Sequence, residues 1–419
     1  STVDVALAPD AQSLNDVVVV GYLTQDRQNV TSAVSRLDVR EAEKTPVPTL
    51  VQAFQGRVAG VQVESAGNPG AVPNVLIRGV GTIGSGSGPL YVIDGLWTDN
   101  IRNLSPTDIE STTVLKDASS TAVYGSRGAN GVIVITTKRG QTGEPKISAN
   151  GYIGVENIYR KYNLTNHSEW ADRSAQAYRN AGLDPTLRMP GAVKGTAAYS
   201  DAVDTDWQKE FFRTGKVQDY NVTFSGGSST GKSATNFLIS AGYFNQEGIV
   251  NGPSFERYNV RLNSGFTRGK LKITESALLT HINTTLLNEV PFVDVLAELP
   301  GIPVYNSANF GGYGYGSANL FNYSVNPIGA QQILNRTQKN NLLQGNVVGE
   351  FAFTNWLSYR LNLGIDQHDY NDKNARREGY IRLGESSPNT TYLFENRGTS
   401  TFLIAENTLN FNKRFGEHG

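Results

Sequence analysis

The sequence predicts an all-β transmembrane antiparallel barrel wall, preceded by a compact α/β domain that sits inside the lumen. Three observations carry this prediction. Apolar β-branched runs, short helical stretches and glycine turns crowd into residues 46–139. From residue 146 onward, side chains alternate between a face of Arg, Asn and Asp and a face of aliphatic and aromatic residues. The connections between those alternating segments are short and long by turns.

Composition sets the outer limits. A chain of 419 residues exceeds one ordinary domain. A formal net charge of −1 leaves no electrostatic footprint for nucleic acid. Cysteine is absent, so there is no disulfide framework and no thiolate metal site, which fits an envelope compartment. No run reaches the roughly 18 apolar residues of a membrane helix, and Ser1 opens a polar stretch without the pattern of a signal peptide. The four histidines (His167, His281, His368 and His418) are scattered, and no spacing brings carboxylates together. No enzyme, cofactor or metal site is expected.

Residues 1–13 are polar, with Val3, Val5 and Leu7 alternating like the last strand of something upstream. Within 14–22, four consecutive valines favour an extended backbone. On the residues alone two readings stand: the first strand of the next domain, or an exposed strand donor that a partner adds to a sheet edge. Residues 49–58 predict a helix with Leu50, Phe54 and Val58 on one face. Buried strands are predicted at 75–77, 91–93 and 132–136, and a second helix at 118–124. Gly125, Gly128 and Gly131 then punctuate a turn that calls for positive φ. Asp94 reads as a turn former. Asp108 and Glu110 read as the opening of a helical turn after Pro106, where carboxylates suit the dipole. Gly79, Gly81 and Gly84 match a dinucleotide-binding pattern, but Ser85–Pro89 cannot open the helix it requires, so a flexible loop is expected.

Wall strands are predicted at 146–156, 218–226, 235–245, 256–266, 270–283, 341–353, 357–370 and 399–411. Glu275 sits on an otherwise apolar face, and the last segment is the least regular. A soluble sandwich alternates in the same way. The connections decide against it: 227–234, 267–269 and 354–356 are short, while 157–217, 246–255, 284–340 and 371–398 are long. Helices are expected in the long loops at 168–180, ended by Gly182, and at 292–299, ended by Pro300. An eight-stranded barrel encloses only side chains, whereas a domain of ~110 residues has a radius of gyration of about 13 Å. An open sheet would leave unpaired backbone edges in lipid. Residues 411–419 read as the next short turn. The expectation is the front part of a longer chain.

Residues 14–22, 50–63, 77–79, 89–95, 108–111 and 114–138 resemble the plug of SusC/RagA-type TonB-dependent outer-membrane transporters of Bacteroidetes-type bacteria. The Leu-Lys-Asp-Ala and Tyr-Gly-Ser-Arg-Gly-Ala-Asn-Gly segments, at 115–118 and 124–131, carry the resemblance most specifically. It implies a barrel of about 22 strands with a plugged lumen. The division becomes a domain tail at 1–13, a TonB box at 14–22, a plug at 23–140, and the first wall strands at 146–419 with external loops 157–217 and 284–340. By position, the resemblance assigns TonB binding to Asp16, Val17, Val18, Val19 and Val20. It makes Arg78, Gly79, Asp94, Gly95, Lys116, Asp117, Tyr124, Gly125, Arg127, Gly128, Asn130 and Gly131 a plug signature of structural and gating residues. The implied function is TonB-dependent import of an oligosaccharide or oligopeptide across the outer membrane. The implied partners are TonB, a SusD-like surface lipoprotein and outer-membrane lipid, in a dimer of transporter–lipoprotein pairs. The alternative is a non-transporting β-rich envelope binding protein or adhesin, which needs neither a TonB box nor an outward apolar band.

Overall fold

A computed structural model describes residues 17–20, 23–26, 34–37, 49–64, 67–82, 86–99, 101–288, 292–385 and 391–413. The expected tail at 1–13, Asp16 and the closing turn at 414–419 lie outside the described residues. Strand β1 (Val17–Val20) pairs antiparallel with β2 (Leu23–Asp26), Val17 opposite Asp26. The domain that follows contains β3 (Val34–Leu37), α1 (Leu50–Ala53), β4 (Val61–Glu64), β5 (Asn74–Ile77), β6 (Leu90–Ile93), β7 (Leu96–Thr98), β8 (Ile109–Leu115), α2 (Ala118–Thr121) and β9 (Val132–Thr137). Its main sheet has the order β3-β8-β9-β6-β7, in which only β6 and β9 run parallel; β4 and β5 form a separate pair.

Period-two geometry splits the apolar runs between two faces. Tyr91, Ile93, Ile133 and Ile135 pack with Leu50, Phe54 and Leu104; Leu90, Val92, Val132 and Val134 pack with Leu115 and Tyr124. A sheet covered on both faces explains why its strands are continuously apolar rather than alternating. Each such side chain contributes about 1.5–3 kcal/mol on burial.

Three local expectations are corrected. The helix expected at 49–58 is a single turn, Leu50–Ala53, because the chain leaves the helical region at Gly56 (φ 71°) and Gly60 (φ 73°); Leu50, Phe54 and Val58 are nevertheless all buried. The turn after Pro106 is helical only over Pro106–Asp108, and Glu110 lies in strand β8, where Thr112, Thr113 and Val114 favour extension. The second helix ends at Thr121 and continues as a tighter turn, Ala122–Gly128, broken at Gly125 (φ 59°, ψ −148°). The described parts of the 78–89 loop contain no helix.

The wall is one eight-stranded antiparallel sheet in strictly sequential order. Its strands are β10 (Gly143–Glu156), β11 (Gly215–Thr230), β12 (Ser233–Glu247), β13 (Ser254–Arg268), β14 (Leu271–Thr285), β15 (Leu334–Ala352), β16 (Leu357–Arg376) and β17 (Tyr392–Phe411). They centre where the alternation put them but run from 14 to 20 residues, beyond the roughly 9–11 that cross a bilayer at a tilt. Residues 231–232, 269–270 and 353–356 make the tight turns. Arg257, Asn259, Arg261, Asn263, Asn346 and Asn362 are buried on the inward face, while Ile239, Val260, Leu262, Val347, Phe351 and Leu363 are exposed on the outward face. Tyr220, Tyr243 and Tyr258 form a cross-strand row with ring separations of 6.3 and 5.0 Å, and Phe224, Phe237, Phe266 and Phe351 mark the outward face toward the tight turns. Glu275 does face outward, where Ser264 donates to its carboxylate at 2.8 Å.

The long loops carry α3 (His167–Asn180), α4 (Pro185–Arg188), α5 (Trp207–Phe211), α6 (Phe292–Ala297) and α7 (Pro327–Ile333). Asn166 and Glu169 form a reciprocal capping box on α3, and Gly182 at φ 72° follows its end. Helices α4, α5 and α7 were not expected. Their signals are the capping side chains Asp184, Asp206 and Asn326, two of them followed by proline.

Candidate functional site

The candidate site is the interface between the α/β domain and the inward face of the wall. It begins at Asp94-Gly95, the two-residue turn between β6 and β7. Both residues have positive φ, 50° and 91°, which Asp-Gly accommodates and most pairs do not. The turn delivers the Asp94 carboxylate to the wall. Thr137 donates to it from its amide at 3.0 Å and its hydroxyl at 2.5 Å, and Ser276 of β14 donates at 3.4 Å. Asp108, at the end of the Pro106 turn, accepts from Ser240 of β12 at 2.8 Å. Arg261 of β13 enters between the two acids, with Nε 3.4 Å from Asp108 and Nη1 4.0 Å from Asp94. All three side chains are at most 2% exposed, so this is a buried ionic triad spanning domain and wall.

Around the triad, wall amides grip the domain's backbone. Asn263 donates to the Lys138 carbonyl at 2.7 Å and to the Thr137 hydroxyl at 2.9 Å. Asn346 donates to the carbonyl of Asp94 and Asn362 to that of Gly95, at 3.0 and 3.1 Å. Gln344 bridges Thr98 and Asn103 at 2.9 and 2.6 Å, and Arg257 donates to the Arg102 carbonyl at 3.0 Å. Leu278 is the wall's apolar contribution to the domain core. A neutral hydrogen bond of this kind nets about 0.5–1.5 kcal/mol, because its loss is offset by water. Arg261 Nη2, Asn103 Oδ1 and Asn263 Oδ1 are buried without a partner, which lowers the net strength further. Toward the tight turns, a gap of about 330 Å³ separates domain and wall, lined by Trp97, Arg139, Lys272, Glu350 and Arg360.

Sequence reasoning reads Asp94 as a turn former and Asp108 as a dipole partner. The first role holds and is not the whole, since the same carboxylate anchors the domain. Asp108 instead spends its charge on the wall. Nothing local in the sequence signals either role, because Arg261 lies more than 150 residues away.

The other residues singled out by resemblance fall inside the domain. Arg78, at φ 59°, pairs with Asp117 at 2.6 Å, next to Gly79 at φ 92°. Lys116 donates to the Ala59 carbonyl. Arg127 pairs with Asp99 at 2.8 Å and covers the rings of Trp97 and Phe402, the latter on β17; Tyr124 packs 5.8 Å from Trp97. Asn130 donates to the Gly86 carbonyl at 2.9 Å. Of the three turn glycines, Gly125 and Gly131 take the expected positive φ (59° and 93°) and Gly128 does not; a Cβ on Gly128 would nevertheless stand 2.9 Å from the Thr121 carbonyl, and one on Gly131 2.7 Å from Ile77, so both positions need glycine. These contacts fasten the loops at 59–60, 78–79 and 86–88 to the sheet. Val17–Val20 lies beside β8 of the domain, and among the described residues its only strand partner is β2.

The TonB-dependent Receptor Plug Domain family model matches residues 26–132. The chain is 31% identical to TonB-dependent receptor P3 of Formosa agariphila, over 100% of this chain and 40% of that receptor. It is 30% identical to TonB-dependent receptor SusC of Bacteroides thetaiotaomicron, over 86% of this chain and 37% of that one. A solved structure of the RagAB peptide importer in its closed-closed state superposes with a TM-score of 0.73 at 25% identity, covering 93% of this chain and 46% of that one. The chain therefore spans less than half the length of these relatives.

Proposed function

Because this chain belongs to the SusC/RagA type of TonB-dependent receptors, we propose that it supplies the plug and adjoining wall strands of an outer-membrane importer. Its cargo is an oligomeric nutrient, oligosaccharide or oligopeptide, captured with a SusD-like surface lipoprotein, and receptor and lipoprotein assemble as paired complexes. The supporting observation is the chemistry of the plug–wall interface, which is hydrogen-bonded and ionic rather than a continuous apolar core. Such contacts exchange for water when force draws the plug away. The long loops lie at the strand ends opposite the tight turns, where substrate would arrive.

Energy enters through residues 16–20 as the TonB box. Strand addition draws its affinity from backbone hydrogen bonds, and Val17–Val20 is already extended, with β2 on one edge. Conservative side-chain changes there should be tolerated. Proline removes a backbone donor and limits pairing. The test is Val18→Pro in the complete transporter: uptake of labelled substrate is abolished while equilibrium binding at the outer face persists. Normal uptake would make 16–20 a linker strand, and loss of both activities would make it part of the folded plug.

A further inference from the structure

Glu275 stands alone as a charge in the apolar band of the wall. Between the outward rows that contain Phe266 and Tyr258, every other described outward residue of the eight strands is uncharged. A charge that meets acyl chains is disfavoured there, the more so with depth. The hydroxyl of Ser264 donates to Oε2 at 2.8 Å, and the side chain is otherwise exposed. Among the described residues no Lys or Arg pairs with it.

The carboxylate closes the tight-turn end of an outward groove of about 670 Å³. Ala277 and Gly345, opposite each other on β14 and β15, leave its floor low; Ile239 and Leu262 stand on one side, Val347 and Leu363 on the other. Apart from Glu275 and Ser264, every outward side chain that lines it is apolar. An apolar track with a single acid at one end matches an amphiphile with a cationic head, and its volume lies within the roughly 300–1,000 Å³ of ligand clefts. Arg268 continues the outward face of β13 toward Gly269, ~14 Å of strand beyond Ser264. It is exposed and makes no ion pair, so a cation stands open at the level of a phosphate. A second copy docking here would set acid against acid, because the described band between the two aromatic rows offers no Lys or Arg.

We propose that this groove seats a phospholipid whose headgroup carries a primary ammonium. An ammonium N–H donates to Glu275, one acyl chain lies over Ala277 and Gly345, and the phosphate stands toward Arg268. Choline offers the same charge without an N–H, and a glycerol headgroup offers no cation, so the acid discriminates between lipids of identical chains. Glu275 is followed in β14 by Ser276, which donates to Asp94 at 3.4 Å on the inward face, so the lipid sits directly behind the buried triad. The proposal requires the wall to face lipid and nothing of the import cycle. A receptor that binds the lipid and fails to import sinks only the import reading, and one that imports without the lipid preference sinks only this one.

The experiment is native mass spectrometry of the complete receptor, stripped of lipid in detergent and titrated with phosphatidylethanolamine, phosphatidylglycerol or phosphatidylcholine, all with dioleoyl chains. The first phosphatidylethanolamine should bind about tenfold more tightly than the first of either other lipid, as one charge-assisted hydrogen bond allows. Glu275→Gln keeps the side chain's shape and should bring phosphatidylethanolamine down to the level of phosphatidylcholine. Ala277→Leu fills the floor of the groove from the outward face, and should weaken phosphatidylethanolamine several-fold while leaving a preference among headgroups. Equal affinity for the three lipids, a phosphatidylethanolamine preference that survives Glu275→Gln, or no effect of Ala277→Leu would overturn the assignment. A receptor dimer that depends on Glu275 while lipid binding does not would overturn it too, and would give the face to a second copy.

Discussion

Arg261→Met removes the one cation from the buried triad and replaces it with an unbranched apolar side chain. At an effective dielectric of about 20, the 3.4 Å contact with Asp108 and the 4.0 Å contact with Asp94 are worth about 5 and about 4 kcal/mol of gross attraction. Desolvation of three charges consumes much of that, so the net value of the intact triad is small. Its removal is different, because the substitution would leave two carboxylates buried without a counter-charge, which costs about 3–5 kcal/mol. That loss falls on the docking of plug to wall, since the acids belong to the plug and the cation to the wall. The Thr137 amide lies within the plug and donates to Asp94, so its exchange follows the hydration of that carboxylate when the triad opens. Its hydrogen exchange should accelerate about a hundred- to a few thousand-fold, with each 1.4 kcal/mol worth a factor of ten. The combination Arg261→Met, Asp94→Asn and Asp108→Asn removes all three charges but keeps acceptors for Thr137 and Ser240, and should restore most of the protection. If the triple variant exchanges as fast as Arg261→Met alone, the carboxylates are not what Arg261 compensates, and the triad is not the latch.

Two further outcomes follow from facing and burial. Leu361→Arg places a charge on the lipid side of β16 and should cost roughly 2–4 kcal/mol on insertion into vesicles, whereas Asn362→Arg should insert but displace the Gly95 carbonyl and expose the plug to protease; equal insertion with an intact plug in both would show the register to be wrong. Burial, with Asp294 nearby, raises the folded-state pKa of Glu298 from 4.5 to about 8, so its contribution to loop stability is full below about pH 4.5 and is lost as pH rises toward 8. The stability of the loops, followed in thermal melts by fluorescence of the neighbouring buried Trp207, should weaken by up to about 5 kcal/mol across that window, and Glu298→Gln should flatten the dependence; a pH-independent melt in the unaltered protein would rule the argument out.

The wall was legible because each strand meets two different media, and period two writes that difference into neighbouring residues such as Arg261 and Leu262. The Gly56 and Gly60 exits cut short a helix that the spacing of Leu50, Phe54 and Val58 still places correctly on the core. Strand β8 was hidden because Glu110, Ser111 and Thr112 after a proline look like a helix opening, while its strand pairing with β3 and β9 is a tertiary fact. The triad could not be read at all. A carboxylate in Asp-Gly and one after Ser-Pro-Thr both have sufficient local explanations, and the arginine that recruits them lies on another element.

The distribution of polar groups on the inward wall bears on how a plug can be both held and moved. If Asn263, Asn346 and Asn362 were leucine, separating plug from wall would expose apolar surface at about 25 cal/mol per Å², a cost that grows with every increment of displacement. With amides, each bond to a plug carbonyl is replaced by one to water, and the cost per bond stays near 0.5–1.5 kcal/mol. The resistance is then concentrated where exchange with water is hardest, at Arg261, Asp94 and Asp108 on the Asp94-Gly95 turn and the Pro106 turn. A pull that reaches those two turns meets one short-range barrier, after which the remaining interface yields bond by bond. That is the mechanical behaviour expected of a latch, as opposed to a core.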